Sequence, residues 1–346
     1  MSQSTAESKS LKGSKPEEDK SQSSNLKLGF TLVIIASLML SFQNVVTKII
    51  LSKRNVFGMF EMGGILSPSM GNSLLLMVLR MLIVLPVMAL IVAPRIYPNT
   101  WKDIRSMVHY TNRGRLLAAI GSALCLFASQ FSIYLALGSI PTGIATTIFF
   151  IYPTVTIILV WVFYGEKPPI SLVFAMLTIY IGGFMTVPLK AFTGGGASNY
   201  ILGAPAAVIS GCAFAGYMIL IKGAKMHPAP FTIISFATIL LFGLLILPLF
   251  DFYVKPGNWT PLLIGTCVLG VTTLVGYLLN NSGVPLIGPS LTSVIGSSGP
   301  AITTFMAYVL IAETLNMYQG IGVLLVTLWV LGISVENMRK QKQAPK

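Results

Sequence analysis

Acidic side chains are scarce: the 346-residue chain has 10 Asp and Glu against 23 Lys and Arg, and charged residues of every kind make up 10% of it. Soluble domains carry about 25% charged residues. Histidine is scarcer still, with only His109 and His227, and neither lies in an apolar run. No His-Glu-x-x-His pair, no acid pair within an apolar run and no Gly-x4-Gly-Lys loop occurs. Those absences argue against a zinc hydrolase, an intramembrane acid pair and a nucleotide-driven pump. The three cysteines, Cys125, Cys212 and Cys267, each fall inside an apolar run. They read as small packing residues, not as a disulfide framework or a metal site. No cofactor is expected.

What the chain does have is apolar length: 54% of its residues are hydrophobic, and its mean hydropathy is +0.80. So much apolar surface must face lipid, where the backbone has to satisfy its own hydrogen bonds. The apolar runs are continuous rather than alternating, so the spans are helices and the fold class is all-α membrane protein. A net charge of +13 could suggest nucleic acid. Its Lys and Arg are instead dispersed through loops and tails, as membrane topology requires. The partners expected are a lipid bilayer and a small-molecule substrate, with no nucleic acid; oligomeric state is not read from the sequence.

Residues 1–27 are polar and read as a disordered tail. A first span covers Leu28 to Thr47 and a second Met70 to Ala93, with Arg80 inside it. Leu116 to Gly165 is a 50-residue uncharged stretch, which makes two spans with a turn at Gly138-Ser139-Ile140-Pro141. A fifth span runs over Ile170 to Leu189, a sixth over Ile201 to Ile221 and a seventh over Phe231 to Phe250. Pro256 to Ala312 is uncharged for 57 residues and divides into two spans at Asn280-Asn281-Ser282-Gly283, a turn signal. A tenth span covers Met317 to Val335, and residues 337–346 form a basic tail. With both termini cytoplasmic, 17 of the 23 basic residues lie on that side and five (Lys48, Lys53, Arg54, Lys190, Lys255) on the other. That bias sets the orientation, and the cell membrane is the expected location.

Two segments match at an offset of 147 residues. Pro153 pairs with Pro300, Thr156 with Thr303, Val162 with Val309 and Glu166 with Glu313. Ser41-Phe42 before Lys48 matches Ala215-Gly216 before Lys222 more weakly. The chain therefore reads as two five-span halves, 28–189 and 201–336. An odd number of spans per half inserts the second half upside down, an architecture of secondary transporters.

The stretch YPTVTIILVWVFYGEKPPISLVFAMLTIYIGGFMTV resembles the end of an EamA-type domain of the drug/metabolite transporter superfamily, and GPAITTFMAYVLIAETLNMYQGIGVLLVTLWVLGI resembles a second copy. Arg80 resembles that family's basic residue in its second helix. The loop carrying FGMFEMGGILSPSMG departs from the compact family pattern. The resemblance implies ten helices around a central cavity that opens alternately to each side.

Arg80, near the bilayer centre, is the first candidate for substrate contact. A charge there is costly and marks a cavity or a pairing, and no Asp or Glu lies at comparable depth. A structural Arg bonded to carbonyls is the competing reading. Pro153 and Pro300 would each free a carbonyl, of Phe149 and Gly296, and act as hinge or kink. Gln43 and Asn44, with Tyr152 and Tyr217, could orient a substrate, and Ser297 and Ser298 could line the cavity wall. Interhelical packing is the other use of such residues. The function expected is a secondary carrier, exporter or facilitator, of a small organic metabolite such as an amino acid. A sugar-phosphate or nucleotide-sugar exchanger would want more than one buried cation. A membrane-embedded enzyme lacks its catalytic set.

Overall fold

The computed structural model describes residues 4–57, 59–107, 113–140, 142–165, 200–296 and 298–312, with scattered positions in 170–181 and 317–328. Helix α1 runs Ser4–Leu51. Its apolar, membrane-crossing part is Ser24–Leu51. The polar stretch expected to be a disordered tail joins that span as helix from Ser4. A hairpin follows, β1 Lys53–Val56 antiparallel to β2 Phe60–Gly63, with Lys53 opposite Gly63. Helix α2, Met70–Pro86, continues through a π-helical turn Val87–Val92 to Ile96. Pro86 sits at the change of winding, where a missing N–H makes the regular ladder impossible. A short helix α3, Thr100–Met107, lies between spans. Then come α4 Arg113–Ser139, α5 Thr142–Phe149 and α6 Tyr152–Tyr164. The second half has α7 Tyr200–Ala224, α8 Pro228–Ile246, α9 Trp259–Ile287, α10 Pro289–Gly296 and α11 Gly299–Ile311.

Among the described residues, seven helical stretches are long and apolar enough to cross a membrane, and Tyr152–Tyr164 is a shorter apolar helix. The chain is an all-α membrane protein apart from the hairpin. The fifth and tenth expected spans fall mostly outside the described residues, as do Glu166 and Glu313. The positions described there are helical, and Ile170, Phe174, Leu177 and Ile181 expose apolar side chains as Met317, Ile321, Leu324 and Leu328 do.

Two antiparallel helix pairs form the frame. In the first, α1 lies along α9: Thr273 Oγ1 donates to Gln43 Oε1 at 2.7 Å, while Gly29 meets Leu286 and Gly265 meets Ile50. In the second, α4 lies along α7: Ser122 Oγ donates to the Tyr217 carbonyl at 3.1 Å, and Ser210 Oγ to the Ser129 carbonyl at 2.7 Å. Small residues at these contacts let backbones approach. The frame corrects one expectation, because Asn280 to Gly283 is not a turn but lies inside α9. Both asparagines are buried and hydrogen-bonded. A Cβ on Gly283 would come 2.5 Å from Val33 Cγ2, so that glycine serves close helix approach. The turn comes at Gly288, with φ +79.

Lys48, placed outside the membrane core by charge counting, is buried at 4% exposure. Its Nζ donates to the carbonyls of Leu137 at 2.8 Å and Ile140 at 3.2 Å. A cation there meets the unpaired carbonyls and the negative dipole end of α4.

Candidate functional site

The offset of 147 recurs in the helix bounds. Thr142–Phe149 maps onto Pro289–Gly296, and Tyr152–Tyr164 onto Gly299–Ile311, end for end. Both second segments end on a left-handed residue, Gly165 at φ +69 and Ala312 at φ +51. Each of these spans is thus two helices with a break between them. The break corrects the expectation of a Pro kink in mid-helix: Pro153 and Pro300 lie in the first turn of the second segment. A missing N–H costs nothing there, because first-turn N–H groups have no helical acceptor.

The two breaks touch. Tyr152 Oη donates to the Ser293 carbonyl at 3.1 Å. A Cβ on Gly296 would lie 2.2 Å from that hydroxyl, and one on Gly299 would lie 2.7 Å from the Phe150 ring. Ser41 Oγ donates to the Gly299 carbonyl at 3.2 Å, which fastens the second break to α1.

Against the breaks lies a cavity of about 70 Å3. Its lining repeats in pairs: Leu40 with Phe214 and Asn44 with Met218 at an offset of 174, and Gln130 with Tyr277 and Ile133 with Asn280 at 147. The aromatic side is built by the first half, since Phe149 and Tyr152 stand where the second half has Gly296 and Gly299. Phe214 packs on both, with ring centroids 5.5 Å from Phe149 and 4.9 Å from Tyr152. The lining also has a polar, neutral set, the amides of Gln43, Asn44, Gln130 and Asn280.

Arg80 does not line this cavity. It is fully buried directly behind it, with Nη1 donating to Tyr134 Oη and Nη2 to Gln130 Oε1. Its Cζ stands 5.2 Å from the Tyr134 ring centroid. The Nε has no partner among the described residues. Glu61, Asp103 and Asp251, the carboxylates described beyond residue 24, all lie outside the spans. Among the described residues the cation is therefore held by neutral oxygens alone.

Of the other expected residues, Gln43, Asn44 and Tyr152 line the cavity. Tyr217 does not: its hydroxyl donates to Asn281 Oδ1, whose amide donates to Thr232 Oγ1 at 2.8 Å. Ser298 is buried and turned back to the Ile295 carbonyl at 2.9 Å, away from the cavity. Ser297 lies outside the described residues. The residues missed are Gln130, Tyr277 and Asn280, although the 147-residue offset that pairs Pro153 with Pro300 also pairs Gln130 with Tyr277.

Outside the membrane-spanning segments, Tyr97 stacks on His227 with centroids 4.0 Å apart and donates to Asp103 Oδ2 at 2.9 Å. His227 Nδ1 accepts from the Ala229 N–H at 3.2 Å and so caps α8. Burial lowers the His227 pKa, and the nearby Asp103 charge partly opposes it.

Residues 201–335 match the EamA-like transporter family. An uncharacterized transporter of Synechocystis sp. is 36% identical over 318 residues, which is 91% of this chain and 96% of the relative. A crystal structure of a protein at 17% identity superposes with a TM-score of 0.61 over 92% of this chain and 98% of the other, which fixes the fold alone. With the apolar helices and the family match together, the chain is a multi-pass membrane transporter that belongs to the EamA-like transporter family of the drug/metabolite transporter superfamily.

Proposed function

We propose that the chain is a secondary carrier that moves a small organic metabolite, such as an amino acid, by alternating access through the cavity between the two breaks. The observation that carries this reading is the pairing of the lining across the two offsets, Asn44 with Met218 and Gln130 with Tyr277. A site shared by two repeats can be exposed to one side and then the other as the repeats exchange conformations.

The helix directions support an inverted arrangement. α1 is antiparallel to α9, and α4 to α7. First and third spans of one half run the same way, so these pairings support halves that are inverted relative to each other. Ten spans, halves at 28–189 and 201–336, and both termini in the cytoplasm of the cell membrane complete the proposal, in agreement with the basic-residue bias. Substrate contacts fall to Gln43, Asn44 and Tyr152, with the breaks at Pro153 and Pro300 as hinges and Arg80 acting from behind the wall.

The test is a screen of metabolite uptake and release in proteoliposomes. Asn44→Ala should lower the rate for whichever compound is carried while the protein still inserts. A carried compound indifferent to changes at Asn44 and Gln43 would place the path elsewhere.

A further inference from the structure

We infer that Gln130 is the specificity-determining contact, and that it receives a carboxylate of the substrate through an amide nitrogen aimed by Arg80. The inference rests on the cavity being the substrate site and adds the charge class and the contacting atom.

The argument starts from what each group can do. A guanidinium only donates, so the group facing it must accept. Gln130 faces Arg80 Nη2 and has one acceptor, Oε1. That fixes the amide: its oxygen goes to the arginine and its NH2 turns away from it. Gln130 is 2% exposed and lines the cavity beside Tyr277, and its Nε2 lies close to the Tyr277 hydroxyl without a hydrogen bond of good geometry to any described residue. A buried donor left without a good hydrogen bond is costly, so the site is built to be completed from the cavity side.

The charge of the missing partner follows from the same geometry. Arg80 polarises the amide it grips, since hydrogen bonds in series strengthen one another. It has no carboxylate partner among the described residues, and its Nε is unpartnered as well. Positive potential therefore reaches the cavity through Gln130. The lining also holds the packed rings of Phe149 and Phe214. A ligand with a carboxylate and an apolar body matches that mixed lining. Arg80 is a positioning residue in this scheme, because it touches Gln130 and not the ligand.

The experiment uses the purified full chain, with binding read by ligand-induced thermal shift and transport read in proteoliposomes. The probes are hexanoate, phenylacetate and leucine, each beside its primary amide. The wild type should bind each acid more tightly than its amide by about 10- to 100-fold. Gln130→Glu keeps an acceptor for Arg80 and so keeps the fold, but presents an anion; it should abolish or reverse that preference. Gln130→Leu should bind acid and amide equally. Arg80→Lys should recover part of the acid preference in KM with little change in kcat, which a residue needed only for folding would not do. Equal affinity for acid and amide in the wild type overturns the assignment. An acid preference that survives Gln130→Glu overturns it as well. Failure of every probe of either kind to bind overturns the cavity reading along with it.

Discussion

Tyr152 in the first turn of α6 reaches across to the Ser293 carbonyl of α10, 3.1 Å away, and joins the break of one half to the break of the other. The hydroxyl fits only because position 296 is glycine, where a Cβ would lie 2.2 Å from Oη. Tyr152→Phe removes the bond and keeps the ring packing with Phe149, Phe150 and Phe214. The expected loss is about 1 kcal/mol of stability, the ordinary worth of one neutral hydrogen bond. Gly296→Ala should cost at least as much by displacing the hydroxyl. The double variant should cost less than the sum, since only one interaction is available to lose. Thermal unfolding of the four proteins in detergent measures the coupling, and strict additivity would show that the two residues do not share a contact.

Lys48 makes a second case in which a charge works inside the span. Its two bonds to the end of α4 predict that Lys48→Met loses about 1–3 kcal/mol, because donation from a charged group to carbonyls is the stronger class. Lys48→Arg should lose less, as a guanidinium still donates. A thermal shift equal for Met and Arg would mean that the side chain's volume, not its charge, holds the helix end.

The sequence made the spans legible where charge interrupted apolar runs; of the turn expected at Gly138-Ser139-Ile140-Pro141, Gly138 and Ser139 still belong to α4, Ile140 follows its end, and Pro141 lies outside the described residues. It misled at Asn280 to Gly283, since turn chemistry and buried interhelical bonding use the same residue types and only the partner helix decides between them. The hairpin Lys53–Gly63, which overlaps the loop that departs from the compact family pattern, is not legible in the sequence, because four-residue strands leave no periodic signal. The site was half legible. Gln43, Asn44 and Tyr152 stood out as polar groups in apolar runs, whereas Gln130 gains its meaning only from Arg80, 50 positions away in sequence.

His227 supplies a pH dependence. Its pKa is lowered from the usual 6.5, first by burial, with Asp103 opposing. A depressed pKa means the folded state binds protons less readily than the unfolded chain. The contribution to stability is then present above the unfolded value and is lost as pH falls through the lower folded value. Protonation would also occupy Nδ1, which caps α8 by accepting from Ala229. Thermal stability in detergent should fall between pH 7 and pH 5 as roughly set by the ordinary imidazole range. His227→Asn, which keeps a capping acceptor and does not titrate, should flatten that slope. Asp103→Asn should move the slope to lower pH by removing the opposing charge. An unchanged slope in His227→Asn would assign the titration to another group.

Energy coupling follows from what the cavity contains. Proton-coupled carriers use an ionisable group that titrates in the path as the site alternates. Among the described residues the lining has no Asp, Glu or His. Transport should therefore be facilitated diffusion or exchange, with direction set by the substrate gradient. For an anionic substrate the membrane potential adds about 2.3 kcal/mol per charge per 100 mV, whereas a zwitterion should be insensitive to it. Proteoliposomes carrying an imposed pH step, with voltage clamped by potassium and valinomycin, separate these forces. The carried compound should equilibrate and go no further under the pH step alone. A potential imposed at constant pH should shift the end point only for an anion. Accumulation driven by the pH step would require a titrating group in the path, and Glu166 and Glu313, outside the described residues, are the first side chains to replace with glutamine in that event.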